Sequence, residues 1–517
     1  MIQIKDTSSA LDTLGMHREI AHAVIMPNAA TPKVLLWALH NCGVSSEIDD
    51  ETIINPRTYL WVDGVPPLYN LTVKNFLSTP NASNGPWIMA KGSGTVHLFN
   101  GEVSLTGPTN YFPDCHGGVE LNGSRYALRY STSAGWTLTS ATALNHAHWY
   151  SSAVVAADGS VLVIGHGGNP ITTSGTPPDP GPDGRTTFEW YRFNPTNGTY
   201  AWDSPAHDNY TSGADLEILA YPHLHMLAHS GEIFFADATV GTGSSQTLAW
   251  ALLDLNASPQ PTWTLTPESS EPIRSTTNTV HFVYLDSNDV YHDAVYMIGG
   301  SPRAICSSTV VAYKDVWRMV DPSSTSSWEK SSGATVPPSP HPPELNTARY
   351  FSNSVILLDG SILTIGGDTS YSGGDCANVL TPERLCPPET FASPSSSWDN
   401  SVAAHAKARD EHAVALLLAD GRVFCAGGKG DYQHGSTPSY PSYHSAEIFS
   451  PPYMYSASRP VITSTGTNNG RWAADGGATT VYAQLSGTDT PEKVALLRLG
   501  SVTHNVDMGQ RWVEVEI

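Results

Sequence analysis

Residues 408–428 read ARDEHAVALLLADGRVFCAGG. A polar start leads into an apolar run, an Asp-Gly turn, a second apolar run and a Gly-Gly stop. Two apolar runs joined by Asp-Gly specify a pair of strands closed by a tight turn. His412 stands at the head of the first strand, behind the acidic pair Asp410 and Glu411.

The same grammar recurs along the chain. SSAVVAADGSVLVIGHGG follows Tyr150, and SNSVILLDGSILTIGGD follows Tyr350. Weaker copies are AHAVIMPNAATPKVLLWALH near Ala21, GTVHLFNGEVSLTG near Gly94, HLHMLAHSGEIFFAD near His223 and VHFVYLDSNDVYHDAVYMIGG near Val280. Starts recur about every 55 to 75 residues, the period of a β-propeller with long loops. Aromatic segments such as RYALRYSTSAGWTLTS suit outer strands. Apolar runs on both inner strands imply sheets buried on both faces. The reading is an all-β chain with a seven-bladed propeller over residues 1–455. After the proline-rich AEIFSPPYMYSASRP, residues 456–517 begin a second β pattern, expected to be a partial β-sandwich of immunoglobulin-like type. It stops after few strands, so this domain is expected to be truncated or reduced.

Composition narrows the function classes. Charged residues make up 14 % of the chain, and Gly (44) and Pro (38) are frequent, as turns between strands require. Lys plus Arg number 26 against 48 Asp plus Glu, a net charge of −22. Nucleic acid is therefore not an expected partner, because its binding rests on cationic contacts. No apolar run reaches the roughly 18 residues of a membrane span, so no membrane insertion is expected. Asn70, Asn81, Asn122, Asn197, Asn209 and Asn256 each begin an Asn-x-Ser/Thr sequon. They point to a secreted glycoprotein whose leader is absent from MIQIKDTSSALDTLG. Of six cysteines, Cys376 and Cys386 are near enough for a small loop disulfide.

In a propeller, the heads of the inner strands converge on the axis. Tyr150 and His412 hold equivalent positions in two repeat copies and are therefore expected to meet. His504, in SVTHNVDMGQR, lies in a turn between strands of the second domain, within reach of the same spot. Two imidazoles and a phenolate suit Cu(II), which favours tetragonal nitrogen and oxygen coordination. His22, His116, His146, His148, His223 and His225 read as surface or strand histidines. The pairs His146/His148 and His223/His225 each share one side of a strand and are weak candidates for a second metal site.

The segments HWYSSAVVAADGSVLVIG, EHAVALLLADGRVFCAGG with AEIFSPPYMYSASRP, and RLGSVTHNVDMGQR resemble the galactose oxidase and glyoxal oxidase family of copper radical oxidases, with kelch-type propellers. The resemblance runs from about residue 20 to the end. It implies one copper ion held by Tyr150 as equatorial tyrosine and by His412 and His504. It also implies a thioether between that tyrosine and a cysteine, with the joined ring storing a radical. The implied reaction oxidises a primary alcohol or aldehyde, with O2 reduced to H2O2. A hairpin of the second domain is expected to thread the propeller axis and deliver His504.

Three positions depart from that pattern. Glu411 stands where the family places its axial tyrosine. A carboxylate with a pKa near 4.3 replaces a phenol with one near 10; it remains an oxygen ligand and a candidate base for the substrate hydroxyl. No cysteine starts the blade before Tyr150; the nearest is Cys115, in NYFPDCHGG, which either reaches Tyr150 from an inserted loop or forms a loop disulfide. Gly168 falls where galactose oxidase carries a radical-shielding tryptophan, and His166 lies in the same loop. Two alternatives stay open: a non-redox, acid–base or metal-assisted enzyme on this scaffold, and a propeller that binds a glycan or protein.

Overall fold

The computed structural model describes residues 148–167, 188–203, 221–240, 247–257, 261–302, 309–331, 341–372, 375–428, 446–456, 460–467, 481–486 and 493–517. It also describes short strand segments before residue 148 and at 216–217. Among these residues there is no α-helix, only a short 3-10 turn at Pro452–Tyr455. The chain is all-β, as its sequence predicts, and almost every strand pair is antiparallel.

Each repeat copy folds as an antiparallel hairpin. The pairs are Ile20–Met26 with Lys33–Ala38, Val96–His97 with Val103–Leu105, His148–Val155 with Val161–Gly167, and Leu224–Met226 with Ile233–Val240. They continue with Asn278–Leu285 and Tyr291–Ile298, Asn353–Ile356 and Ile362–Ile365, and Ala413–Leu417 and Val423–Gly427. The three Asp-Gly turns are built alike. Leu418 N–H donates to Arg422 O (2.7 Å) and Gly421 N–H to Leu418 O (2.9 Å). The same two bonds close Ala156–Ser160 and Leu357–Ser361, with Asp158 and Asp359 accepting the N–H of the serine two residues on. An aspartate that bonds its own turn, followed by glycine at positive φ, makes the turn a local decision of the sequence.

The Gly-Gly stop has a tertiary cause. Arg409 donates through Nη1 to Gly427 O (2.7 Å) and through Nη2 to Glu447 Oε2 (3.1 Å) on the third strand. Arg349 does the same with Gly366 O (3.0 Å) and Glu383 (2.5 Å), and Arg274 with Gly299 O (3.1 Å) and Asp315 (2.7 Å). The second glycine then ties one sheet to the next: Gly367 N–H donates to Arg409 O (2.8 Å), and Gly300 N–H to Arg349 O (2.9 Å). Any side chain at Gly366 (φ 69°) would place its Cβ 1.9 Å from Arg409 O, so only glycine serves there.

Hydrophobic burial lies between neighbouring sheets. Val154, Leu162, Ile164 and Trp190 of one sheet pack on Phe235, Ala249 and Ala251 of the next. The alternate residues of that second sheet, Phe234, Trp250 and Leu252, face Val295, Met297 and Trp317 on its other side. This is period-2 alternation with both faces apolar. Each large buried side chain contributes about 1.5–3 kcal/mol.

The C-terminal residues are woven into these sheets. Ser501–Thr503 pairs antiparallel with Ile20–Met26, and Arg511–Val515 pairs in parallel with Asn278–Leu285. Val506–Asp507 returns on Ser501–Thr503. Lys5–Asp6 adds to the edge of the Ala446–Phe449 strand, so the first described residues complete the sheet that contains residues 408–428.

Candidate metal centre and its cleft

Left-handed backbone marks the site. Eight described non-glycine residues have φ > 0, and six of them gather here: Tyr221 (57°), Thr276 (55°), Phe351 (53°), His412 (64°), His504 (47°) and Asn505 (73°). The first four stand one to three residues ahead of the strands that begin at Leu224, Asn278, Asn353 and Ala413. Such φ values cost of order 1–3 kcal/mol each and persist where surrounding structure imposes them. Here they turn side chains from four strand heads toward one place.

His504 and Asn505 are the central residues of the two-residue turn between Ser501–Thr503 and Val506–Asp507. Consecutive positive φ values suit such a hairpin, and asparagine tolerates them well. Asn505 anchors the turn: its Nδ2 donates to Phe351 O (2.8 Å) and Asp410 O (3.0 Å), and its N–H donates to Ala413 O (3.1 Å). One side chain thus joins the turn to the loops that carry Phe351 and His412.

The structure brings His412 and His504 together. Their ring centroids are 4.7 Å apart and their planes perpendicular at 90°. Both are buried. Thr503 Oγ1 lies 2.7 Å from His504 Nδ1. Glu411 Oε1 lies 3.6 Å from His412 Nε2. Two crossed imidazoles with a carboxylate oxygen beside one of them supply nitrogen and oxygen donors of the type that suits a borderline divalent metal such as copper. Tyr150 lies in the strand His148–Val155, at the register shift between the Trp149 and Ser152 pairings. Its side chain, and all of Cys115 and Gly168, lie outside the described residues, so the thioether does as well.

A small cleft adjoins His504. Tyr221, His223, Ser275–Thr277, Phe351 and His504–Val506 line it. Tyr221 stacks on His504, with ring centroids 4.5 Å apart at 25°. Sequence reasoning missed Tyr221, Phe351 and Asn505. Phe351 precedes a strand as His412 does, and the tolerance of asparagine for left-handed φ made His504-Asn505 a legible turn.

The histidine pair His223/His225 does not form a joint site. His223 Nδ1 bonds Asp237 Oδ2 (2.8 Å), whereas His225 Nε2 bonds Thr279 Oγ1 (2.8 Å). Burial pushes His225 well below the usual imidazole range. The cluster that does assemble is His229, Asp293 and Asp321, at the hairpin turns. There His229 Nδ1 and His281 Nε2 share Asp293 at 2.6 Å each, and the bond to Asp293 raises His229. Asn197 and Asn256 are exposed, whereas the other four sequons lie outside the described residues. Cys386 and Cys425 are free thiols, so the Cys376–Cys386 disulfide is not formed.

Residues 459–517 match the galactose oxidase-like early set domain. Galactose oxidase of Gibberella zeae is 35 % identical over 178 residues, which cover 33 % of this chain and 23 % of that protein. A second Gibberella zeae galactose oxidase is 34 % identical over 178 residues, with the same coverage. A fungal alcohol oxidase of the AA5 family, solved in complex with copper, superposes with a TM-score of 0.61 at 16 % identity. The superposition covers 99 % of this chain and 89 % of that one. The C-terminal residues 459–517 thus match a galactose oxidase-like domain, and the chain spans less than a quarter of the length of the curated galactose oxidases it matches. The copper alcohol oxidase shows the shared fold over nearly the whole length. This chain combines a paired His412 and His504 with a carboxylate, Glu411, at the position before His412.

Proposed function

We propose that the protein is a secreted, copper-dependent oxidase of small primary alcohols or aldehydes. One observation carries this reading: the perpendicular, buried pair of His412 and His504, delivered by two strand systems far apart in sequence. His412, His504, Tyr150 and Glu411 would hold copper, which when bound would supply one one-electron acceptor, with an oxidised Tyr150 ring as the second, for removing two electrons from substrate. The overall reaction turns RCH2OH and O2 into RCHO and H2O2.

The protein groups have separable tasks. Thr503 engages His504 Nδ1, which leaves Nε2 as the nitrogen to present to a metal. The Tyr221 ring covers the face of His504 and excludes water from it. Phe351 and Val506 add apolar wall to the cleft. Glu411 would accept the proton of the substrate hydroxyl, the task of the tyrosine it replaces. Exposed Asn197 and Asn256 support glycosylation and hence secretion.

The test is peroxide release from copper-loaded protein across a panel of primary alcohols and aldehydes, in a peroxidase-coupled assay. Peroxide from the native protein and none from His412→Ala supports the reading; no peroxide with any substrate rejects it. Glu411 beside His412 also supports a second reading, non-redox acid–base chemistry on the same scaffold. An intact mass lower by two hydrogens, the signature of a tyrosine–cysteine thioether, would count against that second reading.

A further inference from the structure

His223 and Asp237 form a buried dyad at the floor of the cleft. Asp237 lies on the strand Ile233–Val240 at the register shift between Phe235 and Ala238. Such a bulge re-aims a side chain. Its carboxylate accepts twice from one residue: Oδ1 from the His223 backbone N–H (2.8 Å) and Oδ2 from His223 Nδ1 (2.8 Å). His223 O in turn accepts from Ala236 N–H (2.9 Å). The imidazole is therefore fixed in position and in rotation.

The dyad also fixes the tautomer. An ionised carboxylate only accepts, so the bond places a ring proton on Nδ1, and in the neutral imidazole Nε2 is the acceptor. His223 is 2 % exposed, and Nε2 has no hydrogen-bond partner among the described residues. A buried polar atom left unsatisfied costs about 1–3 kcal/mol and calls for an explanation. The residue lines the same cleft as Tyr221 and His504. A purely structural histidine has no need of a carboxylate that holds its second nitrogen as an acceptor.

We propose that His223 Nε2 is the cleft's acceptor for a hydroxyl of the substrate, with Asp237 as its positioning residue. The ligand class is a small molecule with a hydroxyl donor near its reacting carbon, such as a primary alcohol, a vicinal diol or a hydrated aldehyde. The inference rests on the reading of this cleft as an alcohol or aldehyde site. The dyad binds and orients and takes no part in electron transfer. His225, two residues on, is committed to Thr279 and does not share the role.

Two experiments test it. The first uses metal-free protein labelled with 15N-histidine, so its result does not depend on whether the protein is an oxidase. Long-range 1H–15N spectra are expected to show His223 as the Nδ1–H tautomer. Added glycerol should move its Nε2 resonance saturably, and Asp237→Asn should abolish both features. An Nε2–H tautomer, or an Nε2 resonance that ignores glycerol, overturns the proposal. The second uses copper-loaded protein. His223→Phe should raise KM for alcohols roughly 10- to 100-fold with copper content retained and kcat little changed, and His223→Gln should recover part of the loss. A lower melting temperature with KM unchanged would reduce His223 to a structural role. Absence of peroxide from the native protein would reject the oxidase reading while the first experiment still decides the dyad.

Discussion

Arg409 and Glu447 form a fully buried ion pair that binds the segment ahead of Ala413–Leu417 to the third strand of the same sheet, while the Arg409 carbonyl accepts from Gly367 of the sheet before it. A single residue therefore serves both the inside of a sheet and its junction with the neighbour. Breaking a buried pair by removing one partner strands the other charge and costs about 3–5 kcal/mol. Arg409→Met is thus expected to lower the melting temperature strongly. The double variant Arg409→Met/Glu447→Met should be closer to native, and calorimetry of the four proteins gives the coupling.

The glycine opposite this pair makes a sharper case. Gly366 sits at φ 69° with Arg409 O where a Cβ would lie. Gly366→Ala adds one methyl group, yet the backbone has to move to admit it. The expected loss is roughly 3 kcal/mol or more, read as an earlier denaturant midpoint with an unchanged m-value.

Acid acts on the same cluster. Burial pushes His405 below the ordinary imidazole value of 6.5, outweighing its bond to Glu447. Burial alone would raise Glu447, but the bond from His405 and the charge of Arg409 hold it below the usual carboxylate range. Below pH 6.5 the unfolded chain takes up a proton that folded His405 refuses, so stability falls as pH falls toward the folded value. Glu447 adds a second loss once pH drops through 4.5, where the unfolded carboxylate protonates first. Melting temperature should therefore decline from neutral pH into the acid range in two stages. His405→Asn should flatten the first stage in part, because His225 and His281 are also lowered by burial.

Much of this was legible in the sequence, for a local reason. Asp-Gly between apolar runs and the alternation of both strands are written within about twenty residues, and each repeat copy duly became a hairpin. His412 and His504 were also legible, because each stands at a turn or strand head in a recognisable context. The Arg409–Glu447 pair was not, since nothing in VAAHAKARDEH tells a buried arginine from a solvated one. Tyr221 and Phe351 escaped for a related reason: a left-handed φ at an aromatic residue is imposed by tertiary contacts, and the residue type itself does not signal it. The pair His223/His225 looked like one unit by spacing, yet Asp237 and Thr279 claim the two rings separately.

Asn505 links stability to the metal centre. Its Nδ2 bonds to Phe351 O and Asp410 O hold the His504 turn against the loop that carries His412. Asn505→Ala removes both bonds and puts a residue with no polar side chain at φ 73°. Copper affinity, measured by competition with a chelator, should fall roughly 10- to 100-fold, the usual cost of losing an outer-shell support. The fold should persist, because the strands on either side of the turn keep their pairing.

On the proposed function, the role of Glu411 separates the two chemistries open to the centre. Its carboxylate oxygen lies 3.6 Å from His412 Nε2, close enough to share a metal with that imidazole or to take a proton from a molecule bound there. Glu411→Gln separates the two roles. A carboxamide retains the oxygen and the volume but loses the basic lone pair. If the carboxylate is the base, copper content should hold while turnover falls by about 10²–10⁴, the range for removing a general base. If it is chiefly a ligand, metal uptake should fall first and turnover in proportion. Metal analysis and peroxide assay on the same samples tell these apart, and a variant with native turnover would show that neither role belongs to Glu411.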